Sequence, residues 1–142
     1  MAMTDLAPFG LGRMLEQLWL RENSGGSGYE VCCVPFYAYG LSLGDVVGKS
    51  GADFIDRLIV KSGRRVLRVL FADSQDSMEA RSALREAVAE VGLLSEWNGD
   101  RHVAIDVPGN AMMQRVFDSV REDVAAGNAF WEWGDSKVFE TI

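Results

Sequence analysis

A hydrophobic period that switches twice between two residues and a helical repeat limits this chain's fold more than any other feature. From Arg64 to Phe71, Val66, Arg68 and Leu70 fall on one side of an extended chain, and Leu67, Val69 and Phe71 on the other. Ala80, Leu84, Ala87, Val88 and Val91 then recur at helical spacing. Asp73-Ser74-Gln75-Asp76 supplies capping residues ahead of Glu79, and Gly92 stops the helix with Leu93 folding back. A short turn region from Glu96 to Asp100 leads to a strand from His102 to Val107, with Val103, Ile105 and Val107 facing inward. Pro108-Gly109-Asn110 breaks and caps. Met113, Val116, Phe117, Val120 and Val124 form a second amphipathic stripe ended by Gly127-Asn128, and Ala129 to Trp133 makes a last strand. Strand, helix, short strand, strand, helix, strand predicts an α+β fold. Its centre is a ferredoxin-like split βαβ core over residues 64–134, with two helices on one face of an antiparallel sheet.

Residues 14–63 read as strands and hairpins that extend this sheet or form a small curved sheet packed on its edge, within one domain of 142 residues. Met14 to Leu20 favours a strand, because Ser24-Gly25-Gly26-Ser27-Gly28 then serves as a hairpin loop into Tyr29. That loop lacks the Lys-Ser/Thr ending of a phosphate-binding loop, so it is read as a turn. Tyr29 to Val47 is the longest apolar run, charged only at Glu30 and Asp45. It predicts a strand from Tyr29 to Phe36, a turn through Ala38-Tyr39-Gly40, and a second apolar segment interrupted by Gly44-Asp45. Asp45 reads as a turn residue bonded to local backbone N–H groups, and Tyr37 and Tyr39 as the stretch's contact residues. Asp53 to Val60 and Arg64 to Phe71 read as two strands joined at Lys61-Ser62-Gly63.

Charge separates the two halves. Residues 1–72 hold eight Lys/Arg against seven Asp/Glu, and residues 73–142 hold six against fourteen, giving the chain's net charge of −7. An acidic balance argues against nucleic acid and for solubility or a basic protein partner. Arg57, Lys61, Arg64, Arg65 and Arg68 form either an anion patch or a solvated hairpin whose cations pair with acids of the second half, and the second is favoured. No run reaches the roughly 20 apolar residues of a membrane span, and the N-terminal residues lack the pattern of a signal peptide, so the expected compartment is the cytoplasm. Adjacent Cys32 and Cys33 point to opposite faces of a strand and are read as buried, reduced thiols.

Catalysis needs groups that converge. His102 is the only histidine; it shares a strand face with Ala104 and Asp106, whose backbone lies roughly 13 Å away, too far for a direct hydrogen bond. The helix carboxylates sit opposite the apolar stripes, where a solvated face explains them. No catalytic residue, metal ligand or cofactor is assigned. Trp131 and Trp133 share one face of the last strand, with Phe130 and Glu132 on the other. The pair either covers the sheet or the foot of a helix, or forms exposed anchors for a partner. With Asp135, with Trp97 beside Glu96 and Asp100, and with Asp76, it outlines an acidic and aromatic partner-binding edge.

Three segments carry a resemblance: VPFYAYGLSLGDVV from Val34, RLIVKSGRRVLRVLF from Arg57, and VAIDVP from Val103. Through Pro35-Phe36, Gly40 with Gly44-Asp45-Val46, Ser62-Gly63, and Asp106-Val107-Pro108, the chain resembles the bacterial domain of unknown function family 4265 (DUF4265). Arg64-Arg65 departs from the small polar residues that this resemblance leads one to expect before the strand. The family has no established activity to carry over.

Three functions follow in order. The first is a non-catalytic, acidic protein-binding module, most concretely an immunity protein that neutralises a basic bacterial toxin domain such as a nuclease. The second is a small-molecule or nucleotide-binding regulatory domain using the sheet and the Arg57–Arg68 cations. The third is an enzyme using His102 and Asp106. Oligomeric state is not legible in the residues.

Overall fold

The computed structural model describes residues 1–9, 11, 14–51, 53–72 and 76–140. In chain order these form β1 (Ala2–Asp5), β2 (Leu15–Leu18), β3 (Leu20–Glu22), β4 (Tyr29–Val31), β5 (Val46–Lys49) and β6 (Ile55–Val60). There follow β7 (Arg65–Phe71), α1 (Met78–Val91), β8 (Ser95–Asn98), β9 (His102–Val107), α2 (Gln114–Ala125) and β10 (Ala129–Trp133).

The second half is the expected ferredoxin-like unit: a four-stranded sheet in the order β10-β7-β9-β8, antiparallel at every pair, with both helices on one face. Register aligns the faces, placing Leu67 opposite Ile105 and Val69 opposite Val103 and Trp131. Leu67, Val69, Phe71, Val103 and Ile105 thus meet Leu84, Val88, Val116 and Val120 in one buried cluster. Full burial of each large aliphatic side chain contributes about 1.5–3 kcal/mol. α1 ends as its sequence requires: Gly92 takes the left-handed φ of 81°, its N–H reaches the Val88 and Ala89 carbonyls, and Leu93 N–H returns to Val88.

Helix starts are less faithful to the sequence. The α1 N-cap is Ser77 and not Asp76, without a side-chain cap bond, while Asp73-Ser74-Gln75 lies outside the described residues. α2 begins at Gln114, because Pro108-Gly109-Asn110 enters a turn closed from Ala111 N–H to the Pro108 carbonyl. The region from Glu96 is an edge strand as far as Asn98, so the turn is confined to residues 99–101.

The N-terminal strands do not extend that sheet. They form a β1-β2 pair and a separate four-stranded sheet, β3-β4-β5-β6, with its own core of Leu6, Leu18, Val31, Leu41, Val47 and Ile55. The glycine-rich loop is a hairpin turn, with Glu22 opposite Tyr29 and Asn23 N–H on the Gly28 carbonyl. β6 and β7 do not form a hairpin: Lys61-Ser62-Gly63 carries the chain from one sheet to the other. Asp45 fixes that crossing by accepting from Ser62 N–H (2.7 Å) and Lys61 Nζ (2.9 Å), besides Ser42 N–H (2.9 Å). Asp45 is therefore the structural turn residue its setting predicts, reaching further than its own loop.

The apolar run departs most from expectation. Strand structure stops at Val31 and resumes only at Val46. Residues 32–45 instead form a strap over the helix-free face of the ferredoxin-like sheet, where Val34 and Phe36 pack on Val66 and Ala104.

Candidate functional site: a cleft between strap and sheet

An extended segment without a strand partner leaves backbone groups that must find other bonds once buried. Here two buried charges supply them from opposite sides of the peptide. The Glu16 carboxylate accepts N–H bonds from Phe36 (2.6 Å), Tyr37 (3.0 Å) and Ala38 (2.8 Å). The Arg68 guanidinium donates to the carbonyls of Phe36 (2.7 Å) and Ala38. Arg68 is only 3% exposed; burial pulls its pKa down, while the carboxylates of Glu132 and Glu16 and the Tyr39 phenol pull it back. Gly134 makes room for it, since a Cβ there would lie 2.8 Å from an Arg68 terminal nitrogen. Further ties are Val34 N–H to Glu96 (2.8 Å), Gly40 N–H to the Gly134 carbonyl (2.8 Å), and Tyr39 OH to both Glu132 oxygens (2.7 and 2.8 Å).

Between the strap, the sheet and the segment at residues 98–101 lies a cleft of about 680 Å³. His102, Leu70 and Phe130 line it from the sheet; Phe36, Tyr37 and Tyr39 line it from the strap; Arg68 and Glu132, register partners on β7 and β10, also face it. The His102 ring centre lies 5.3 Å from those of both Phe36 and Tyr37, forming a three-ring wall, and Asn98 donates to the Tyr37 hydroxyl (3.1 Å). Burial, then the Arg68 charge, lower the His102 pKa against a weaker upward pull from Glu132, so the ring is neutral near pH 7. Burial raises the Tyr39 pKa, and its bond to Glu132 adds to this. A neutral imidazole among rings and mixed charges is equipped to hold a planar or cationic group.

His102 and Asp106 do not line one site. Asp106 is held by Arg64 (3.1 and 3.2 Å) and does not line the cleft; burial raises its pKa against the pull of that arginine, and its Oδ1 has no hydrogen-bond partner among the described residues.

The other sequence-predicted contacts divide between opposite edges of the sheet. On β8, Glu96 ties down the strap. Trp97 stacks on Phe71 (6.4 Å between centres, 8° between planes) beneath Arg85. Asp100 meets Arg81 and also lines the cleft. On β10, Trp131 and Trp133 flank Phe117 of α2 at 4.9 and 6.2 Å, covering the helix as one reading anticipated, although Trp131 remains 42% exposed. Asp135 pairs with Arg65 (2.9 Å), a bond that lowers the Asp135 pKa, and Arg65 covers Trp133. Asp76 is exposed before α1. β8 and β10 are three strand spacings, about 14 Å, apart, so these residues fall on opposite edges of the sheet, with Asp100 and Trp131 both bordering the cleft.

Missed as site residues were Phe36, Arg68, Leu70, Phe130 and Glu132. Strand alternation had already put Phe130 and Glu132 on the face away from the tryptophans, and that was the available signal. The basic segment is not a single patch: Arg57 pairs with Asp56, Lys61 with Asp45, Arg64 with Asp106 and Arg65 with Asp135. Cys32 is exposed, contrary to expectation, because its strand has already ended. Cys33 is partly buried, and desolvation pushes its thiol up to about 11; both are free. No helix among the described residues is long and apolar enough to cross a membrane.

The chain resembles a solved structure described as "Novel crystal structure of a hypothetical protein from Neisseria gonorrhoeae". The TM-score is 0.69 at 20% identity, over 86% of this chain and 84% of the other. That likeness supports the fold. A search of curated proteins finds no match. The family model described as "Domain of unknown function (DUF4265)" matches residues 16–133, from Glu16 beneath the strap to the end of β10, and the chain belongs to that family.

Proposed function

We propose that this chain is a non-catalytic protein-binding module of the cytoplasm, acting as an immunity protein that captures and neutralises a basic bacterial toxin domain. The observation that carries the reading is the mouth of the cleft, where Leu70 and Phe130 are 46% and 56% exposed. Phe130 and Leu70 are direct cross-strand partners. Exposed aromatics beside a concave, partly polar site suit an interface anchor, and the net charge of −7 favours encounter with a basic partner. On this reading the contact surface lies at the cleft, which Trp131 and Asp100 of the earlier candidates border. The test is co-expression with the products of adjacent genes. Retention of one product and inhibition of its toxicity, weakened at least tenfold by Phe130→Asp, is expected for a hot-spot residue. Failure of every adjacent product to bind or be inhibited would end this reading.

A second reading, a small-molecule regulatory domain, draws support from the same enclosed volume and its half-buried histidine. Thermal stabilisation by a metabolite at millimolar concentration, without any captured protein, would favour it.

A further inference from the structure

We propose that the cleft is a cation pocket that receives the guanidinium or ammonium of an arginine or lysine side chain, with the rings of Phe36, Tyr37 and His102 for its faces and Glu132 for its counter-charge. This rests on the protein-capture reading and names the group that the partner inserts.

Glu132 is the reason. Its two oxygens share the single hydroxyl proton of Tyr39, leaving acceptor capacity on both, and no ion pair reaches it among the described residues. The other carboxylate of the lining, Asp100, is paired with Arg81. Arg68 stands opposite Glu132 in the sheet, but its terminal nitrogens are committed to the strap carbonyls. Glu16, Arg68 and Glu132 together set two carboxylates against one guanidinium. His102, neutral near pH 7, adds no opposing charge. An anion would meet Glu132 and find the terminal nitrogens of Arg68 engaged, only its buried Nε being without a hydrogen-bond partner among the described residues. Arg101, the other cation of the lining, donates to the Ala72 carbonyl (2.7 Å).

The strap already seats cations on one of its rings. Lys137 Nζ and the Arg68 guanidinium each lie 5.0 Å from the centre of Tyr39, within the roughly 6 Å range of a cation–π contact. No such contact occupies Phe36, Tyr37 or His102 among the described residues. A cation entering beside them gains ring contacts and a carboxylate in a half-enclosed site, where both are stronger than in open water.

The experiment is an NMR titration with N-acetyl-arginine amide, compared with the neutral isostere N-acetyl-citrulline amide, following the ring signals of His102, the single histidine. Saturable shifts at millimolar arginine probe are expected, with the citrulline probe at least about tenfold weaker. Glu132→Gln should remove that preference. Tyr37→Leu, which leaves Glu132 and Arg68 in place, should weaken arginine binding and serves if Glu132→Gln does not fold. Equal response to both probes, or an undiminished preference in the variants, would overturn the pocket. Partner capture that persists without arginine binding would discard the cation pocket alone. Arginine binding with no protein captured would discard the protein-capture reading alone.

Discussion

The two faces of the ferredoxin-like sheet are covered by different physical means. On one, α1 and α2 lay apolar stripes on Leu67, Val69, Val103 and Ile105. On the other, a strap lacking regular structure is held by Glu16 and Arg68, which satisfy peptide groups that no strand partner reaches. The first face makes a dry core. The second leaves an open cleft beside the strap, because fixed peptide bonds rather than close-packed side chains set the separation. A covering held by a few specific charges is more sensitive to a single substitution than one spread over many contacts.

The sharpest test of that contrast is Arg68→Met. It removes the donors of two strap carbonyls and strips Glu16 and Glu132 of their nearest compensating charge, at an expected cost of about 3–5 kcal/mol in urea unfolding. A loss below about 1 kcal/mol would show that the Arg68 bonds do little to hold the strap. Leu84→Ala on the helix face should cost about 3 kcal/mol, by lost transfer energy and a residual cavity, without altering the cleft.

The helix-covered face was legible in the sequence because its rules are local. Period two in Arg65–Phe71, period 3.6 in α1 and α2, and glycine at the end of α1 each declare themselves within a dozen residues. The strap was not legible, since β-branched and aromatic residues from Tyr29 to Phe36 suit a strand equally well. What holds the chain at Phe36 out of a strand is a carboxylate 20 residues upstream of it and a guanidinium 32 downstream. Arg68 looked like a solvated cation for the same reason. The candidate site is of the same kind: Tyr37 and Tyr39 lie far from His102 in the sequence, and only the long-range fold gathers them beside Phe130 and Glu132.

Smaller effects refine the comparison. Glu16→Gln keeps one acceptor oxygen where three N–H groups converge, and should cost about 1–3 kcal/mol. It should also loosen the cleft wall, seen as changed shifts for Tyr37 and His102; stability unchanged within error would point to other partners for those amides. His102 gives the mildest prediction. Its folded pKa is lowered below the ordinary 6.5, so its contribution to stability is fully present above that value and is lost as pH falls through the folded pKa. Urea midpoints measured downward from pH 7 should fall more steeply for the wild type than for His102→Asn. Equal slopes, with a histidine NMR titration at or above 6.5, would contradict the buried, Arg68-facing placement.

Amide hydrogen exchange at Phe36, Tyr37 and Ala38 tests the central claim most directly. Pinned by a buried carboxylate, these amides should exchange about as slowly as those of β7 and β9 in the wild type. In Arg68→Met they should exchange orders of magnitude faster, while β7 and α1 amides change only with global stability. Rapid exchange of the three amides in the wild type, comparable with the loop at residues 24–28, would contradict it.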